Sequence, residues 1–134
     1  MTDALVQFLR ARLDEDEQTA RNATPGGWST RNLGRHDLSA VIQGAAMLAQ
    51  TDSPHGAADG LHIARHDPAR VLAEVDAKRR LLELCSPPLV EVTGPGDGAR
   101  QFVPGEGKPW GDDVMRLLAL PYASHRDYRE DWRP

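Results

Sequence analysis

Apolar residues recur at three- and four-residue steps near the start of the chain, at Leu5, Phe8, Leu9, Leu13 and Ala20. That spacing predicts an amphipathic helix over 2–22, with Thr2 placed to cap it and Asp3 near the positive end of its dipole. The acidic run Asp14-Glu-Asp-Glu17 departs from the stripe and reads as a solvated face. A second helix is predicted over 68–84. Asp67 caps it and Pro68 opens it, a proline at the first helical position having its φ already set. Val71, Leu72, Val75, Leu82 and Cys85 form its stripe, while Glu74 with Lys78 and Asp76 with Arg80 take favourable four-residue spacings on its wet side. A short third helix is predicted over 112–120, with Val114, Leu117 and Leu118 inward and Pro121 as its stop.

Between these helices the pattern shortens. Val41 and Ile42 before Gly44, followed by Ala46 to Gln50, favour a hairpin over 39–51 rather than one Ala-rich helix. Thr51 to Gly60 reads as a polar loop. Leu89 to Thr93 alternates like a strand, Gly94 to Gly98 turns, and Arg100 to Val103 returns, giving a second possible hairpin over 89–103. Residues 121–134 are left as an aromatic, charged tail. The expected fold is therefore α+β: a small single domain, 1–134, with a three-helix core and one or two short β-hairpins at its side. The core drawn from these stripes is Leu5, Phe8, Leu9, Leu13, Val71, Leu72, Val75, Leu82, Val114, Leu117 and Leu118.

Composition adds limits. A chain of 134 residues buries enough surface to fold without a disulfide or metal, although only 40% of it is hydrophobic. The 12 Gly and 10 Pro cluster in the segments between the helices and point to long loops. A net charge of −4 disfavours nucleic acid as a partner, since phosphate neutralisation calls for a basic balance. One cysteine makes no internal disulfide and fits a reducing, cytoplasmic setting. No apolar run approaches a membrane span and no signal peptide is evident, so no membrane partner is expected.

Three segments carry a family resemblance: Leu5 to Glu17, His62 to Leu72 with its continuation to Arg80, and Leu117 to Ala123 followed by the acidic, aromatic end. Together they resemble an uncharacterised actinobacterial and actinophage family, domain of unknown function 6221. The resemblance spans the chain and is weakest over Arg31 to Gly60 and Ser86 to Trp110. It brings no activity and no catalytic residue to transfer. What it implies is an intact single domain in an intracellular, accessory-genome or phage-related setting.

Five groups of residues merit weighing as chemistry. His62 and His66 are four apart, which on one helix face would suit a metal, with Asp67, His55 or His125 completing a zinc site. Pro68 argues that the pair lies in the approach to the helix rather than on it. The plainer alternative is a capping Asp67, a packed His66 and a partly exposed His62, so no cofactor is expected unless zinc binds there. Cys85 at a helix end reads as a small buried group, because the negative end of the dipole disfavours a thiolate. Arg65, Arg70, Lys78, Arg79 and Arg80 form a basic strip that could meet nucleic acid, but Glu74, Asp76 and Glu83 dilute it. Gly94 to Gly98 lacks the Lys-Ser/Thr of a phosphate-binding loop.

The tail is the most unusual of the five. Tyr122, Tyr128 and Trp132 are interleaved with arginines, and His125 and Arg129 lie among them. Either it folds back onto the helices, the favoured reading, or it anchors a partner through Tyr122, His125, Tyr128, Arg129 and Trp132. No complete catalytic set is present, so the sequence leans away from an enzyme. The leading expectation is a non-catalytic interaction or regulatory module whose partner is another protein. A metal-binding domain or metal-dependent enzyme, and a nucleic-acid-binding regulator, are the alternatives.

Overall fold

A computed structural model of the chain describes residues 2–35, 37–86, 89–93, 98, 100–105 and 107–134. Its class is α+β, as expected. Helix α1 runs Thr2–Asn22, strands β1, β2 and β3 run Ser29–Arg35, Leu38–Gln43 and Ala46–Asp52, and helices α2 and α3 run Gly56–Arg65 and Pro68–Cys85. Strands β4 (Leu89–Thr93) and β5 (Arg100–Pro104) precede helix α4 (Gly111–Ala119), and two 3-10 turns close the chain at Leu120–Tyr122 and Glu130–Trp132. The residues group into two compact units, one of Met1–Leu13 with Ala77–Pro134 and one of Asp14–Asp76. Helices α1 and α3 contribute to both.

The first unit holds the three-helix core. Leu5, Phe8 and Leu9 of α1, Leu82 and Cys85 of α3 and Met115 and Ala119 of α4 bury together, and Trp132 joins them at 2% exposure. The inward stripe of α4 differs from expectation. Met115 and Ala119 are fully buried whereas Leu117 is 57% exposed. At about 100° per residue, positions two apart face nearly opposite sides of a helix, so burying Met115 turns Leu117 outward. Val114 and Leu118 flank the buried face and are partly covered. Val71 and Leu72, expected in the core, are only half-buried, and Val75 is the buried position of that stripe.

The hairpin β4–β5 forms a two-stranded antiparallel sheet pairing Val90 with Val103 and Glu91 with Phe102. Pro87, Pro88 and most of the turn expected at Gly94 to Gly98 lie outside the described residues.

In the second unit the expected hairpin over 39–51 is present as β2–β3, but it belongs to a three-stranded meander ordered β1-β2-β3. Its two-residue turn places Gly44 at φ +57, the left-handed value that a tight hairpin demands at its first central position. Strand β1 was not expected. Its residues are exposed apart from half-buried Leu33, so no alternation of apolar and polar positions marks it. It forms because β2 offers a register, with Thr30 opposite Val41 and Arg31 opposite Ala40.

Helix α2 is the larger correction, since Thr51 to Gly60 reads as a loop in sequence. Its buried face is made of Gly56, Gly60 and Ala64, four apart and all small. The absence of side chains is what allows the close approach. A Cβ on Gly56 would stand 1.8 Å from the Asp37 carbonyl oxygen, and one on Gly60 would stand 3.0 Å from the Ser39 hydroxyl. Thr51 further donates its hydroxyl to the Gly56 carbonyl. A hydrophobic-periodicity reading misses such a helix because its buried face carries almost no apolar mass.

Candidate functional site

The junction of α2 and α3 is where the histidines lie. His62 occupies the last turn of α2 and His66 is its C-terminal cap, so the pair is on and at the end of a helix rather than in an extended approach. Pro68 constrains only the residue before it, and His66 and Asp67 make the break between the helices. The two rings pack with centroids 4.4 Å apart. His66 Nδ1 lies 2.8 Å from the His62 carbonyl oxygen, which can only accept, so Nδ1 carries the proton.

Asp67 performs two tasks. One carboxylate oxygen accepts from the Arg70 amide at 2.9 Å, capping α3, and the other accepts from the Trp28 amide at 3.0 Å. The Arg70 amide, then the Trp28 amide, hold its carboxyl below the ordinary aspartate range. Both oxygens of Asp67 are therefore occupied in joining the approach to β1 with the start of α3. Among the described residues, no group of three or more His, Cys, Asp or Glu side chains comes together in a way that could hold a metal ion.

Trp28 donates its indole N–H to the Thr24 carbonyl at 3.0 Å, which fixes the ring. A cleft of about 300 Å³ opens beside it, with Ala20, Ala23, Pro68 and Val71 as apolar walls and His66 and Asp16 among its polar lining. A second, more open depression of about 520 Å³ also includes Trp28 and is bordered by Arg65 and Arg70.

The tail folds back within the first unit. Phe8 is its hub: the rings of Tyr122, His125 and Tyr128 meet it edge-on with centroids 6.3, 5.8 and 6.0 Å away, and Trp132 lies tilted at 5.1 Å. Arg12, 7% exposed, lies over the Phe8 ring at 5.2 Å and sets its guanidinium against both ring nitrogens of His125. The Asp127 amide donates to His125 Nδ1. Arg129 is exposed, pairs with Asp131 at 3.0 Å and lies over the Trp132 ring at 5.6 Å. Tyr122, His125 and Tyr128 are half-buried and Trp132 is buried, so of the tail residues weighed as partner anchors only Arg129 is openly displayed. Sequence reasoning did not find Arg12, whose position beside the Leu5–Leu9–Leu13 stripe gives it the long buried stem that an arginine can lay along apolar surface.

The basic strip is dispersed among local partners. Arg70 pairs with Glu74 at 2.9 Å and also donates to the Arg65 carbonyl. Arg79 and Arg80 are each engaged, and Lys78 lines a small apolar hollow with Leu9, Leu82 and Tyr122. Cys85 is 2% exposed, and burial pushes its thiol up, away from the thiolate a nucleophile needs.

Exposed apolar side chains have a marked distribution. Among the described residues, all the large ones except Met47 and Leu61 fall between Leu81 and Leu120. They include Leu84 at 63%, Phe102 at 62% and Trp110 at 49% exposure.

The fold and these features define a small α+β protein with a helix-and-tail core and an apolar display on one stretch of chain. It belongs to a family of unknown function, DUF6221, and the match covers residues 2–134. No curated protein and no solved structure matches the chain. No helix among the described residues is long and apolar enough to cross a membrane.

Proposed function

We propose that the chain is a non-catalytic protein-interaction or regulatory module, and that it docks its partner through apolar side chains carried between Leu81 and Leu120. The observation that carries this reading is the concentration of exposed Leu81, Leu84, Val90, Val92, Phe102 and Trp110 in that stretch. In the β4–β5 ribbon Val90, Val92 and Val103 share one face and Phe102 lies on the other, so both faces expose apolar side chains. The hairpin adds weight. A two-stranded ribbon is marginal alone in water, and here the paired Val90 and Val103 are 44% and 39% exposed. A partner that covers this ribbon, or adds a strand to it, would stabilise both. The accessory-genome or phage-related setting and the cytoplasmic location implied by the sequence belong to the same proposal. The buried, unpaired Cys85 supports a reducing compartment.

The test is affinity purification of the tagged full chain from its own cells, beside a Leu84→Asp/Phe102→Asp variant and an Arg65→Glu control. The reading expects one protein to co-elute in fixed ratio with the parent chain and the control, and to be lost from the double variant while its helical signal is kept. Equal recovery by all three chains would overturn the proposed surface. If no protein co-elutes in fixed ratio with the parent chain, the interaction reading fails.

A further inference from the structure

The cleft beside Trp28 lies in the second unit and is independent of the apolar stretch proposed above. Its walls are Ala20, Ala23, Pro68 and Val71, and its volume of about 300 Å³ is at the small end of the range for ligand pockets. Two hydrogen bonds determine what it offers a ligand. Trp28 has already given its N–H to the Thr24 carbonyl, so the indole presents ring surface rather than a donor. His66 holds its proton on Nδ1 against the His62 carbonyl, so in the neutral ring Nε2 is left with a lone pair. The His62 ring packed against it at 4.4 Å restrains its orientation. The cleft thus combines an aromatic wall and aliphatic sides with hydrogen-bonding groups on His66, Thr19 and Asp16. Asp16 among its lining disfavours an anion.

We propose that this cleft binds a flat, uncharged aromatic molecule of about indole size that carries one N–H or O–H donor. The ring stacks on Trp28 between the aliphatic walls, and the donor meets His66 Nε2.

The test uses the full chain, labelled with nitrogen-15. It is titrated with indole and, separately, with 1-methylindole, which has nearly the same shape but no donor. Indole should shift the Trp28 indole N–H and the His66 amide saturably. 1-Methylindole should bind roughly tenfold more weakly, the loss expected when a positioned acceptor is left unpaired. In His66→Phe the two probes should bind alike, with amide signals outside the cleft unmoved. If that variant does not fold, the two probes on the parent chain still decide. Equal affinity of the two probes on the parent chain would overturn the proposal. So would the absence of any saturable shift up to the solubility of indole.

Discussion

Replacing Trp132 by Ala is the sharpest probe of the tail. The indole is 2% exposed, lies 5.1 Å from Phe8 and 5.8 Å from Tyr128 between ring centroids, and carries Arg129 over its face. A buried tryptophan removes roughly 150–250 Å² from water, which at about 25 cal/mol per Å² is ~4–6 kcal/mol. Measured truncations of large aromatic residues in cores cost about 3–5 kcal/mol, so the two estimates agree. Native stabilities are of order 5–15 kcal/mol, and the change therefore consumes about a fifth or more of the total. For a chain of this length each kcal/mol moves the melting midpoint by about 3–4 °C, which predicts a fall of roughly 10–20 °C. Trp132→Phe should cost less, about 1–2 kcal/mol. It keeps a ring against Phe8 and removes an indole N–H that is buried without a hydrogen-bond partner among the described residues. Urea and thermal unfolding followed by far-ultraviolet circular dichroism measure both variants. A loss under about 1 kcal/mol for Trp132→Ala would refute the claim that the tail is part of the core.

Other expectations follow from single contacts. Gly56→Ala would force a Cβ to within 1.8 Å of the Asp37 carbonyl oxygen, so it should cost about 3 kcal/mol or more and be seen as a large drop in urea midpoint. Asp67→Ala removes the α3 cap and the bond from Trp28, for a loss of about 1–2 kcal/mol at neutral pH. Because the folded carboxyl titrates below its ordinary range, Asp67 stabilises fully above that range and its contribution is lost as pH falls through the lower folded value. Unfolding midpoints followed down into strong acid should therefore fall less steeply in Asp67→Ala than in the parent chain. Cys85 should react with an aromatic disulfide reagent far more slowly in the native protein than in urea, as burial and a raised thiol pKa require.

How much of this was legible in the sequence depends on what carried the signal. Helices α1 and α3 and the hairpin β2–β3 announce themselves through apolar periodicity and turn chemistry, and they are where the pattern puts them. Strand β1 and helix α2 do not. The strand is polar on both faces and forms only because β2 supplies a partner. The helix buries glycines and an alanine, so its inward face looks like a loop until the spacing Gly56, Gly60, Ala64 is seen as one stripe. In α4 the period was right and the phase was not, because Met115 and Ala119 rather than Leu117 turn inward.

The candidate chemistry divides in the same way. Asp67 was legible as a cap because an Asp-Pro pair states its own purpose. Its second bond, to Trp28, joins residues 39 apart and no local pattern could show it. The packing of the tail was legible as a preference, since aromatic residues are costly to leave in water. Its hub at Phe8 and its buried Arg12 depend on contacts across more than a hundred positions of sequence.

Hydrogen exchange of the full chain, free and bound to the protein that co-purifies with it, tests the interaction reading most directly. The account predicts that binding slows exchange over 89–93, 100–104 and 110–120, with little change at Tyr122 to Trp132, whose side chains pack within the protein itself. Protection gained along the tail or along β1 instead, with the stretch from Leu81 to Leu120 unchanged, would contradict it.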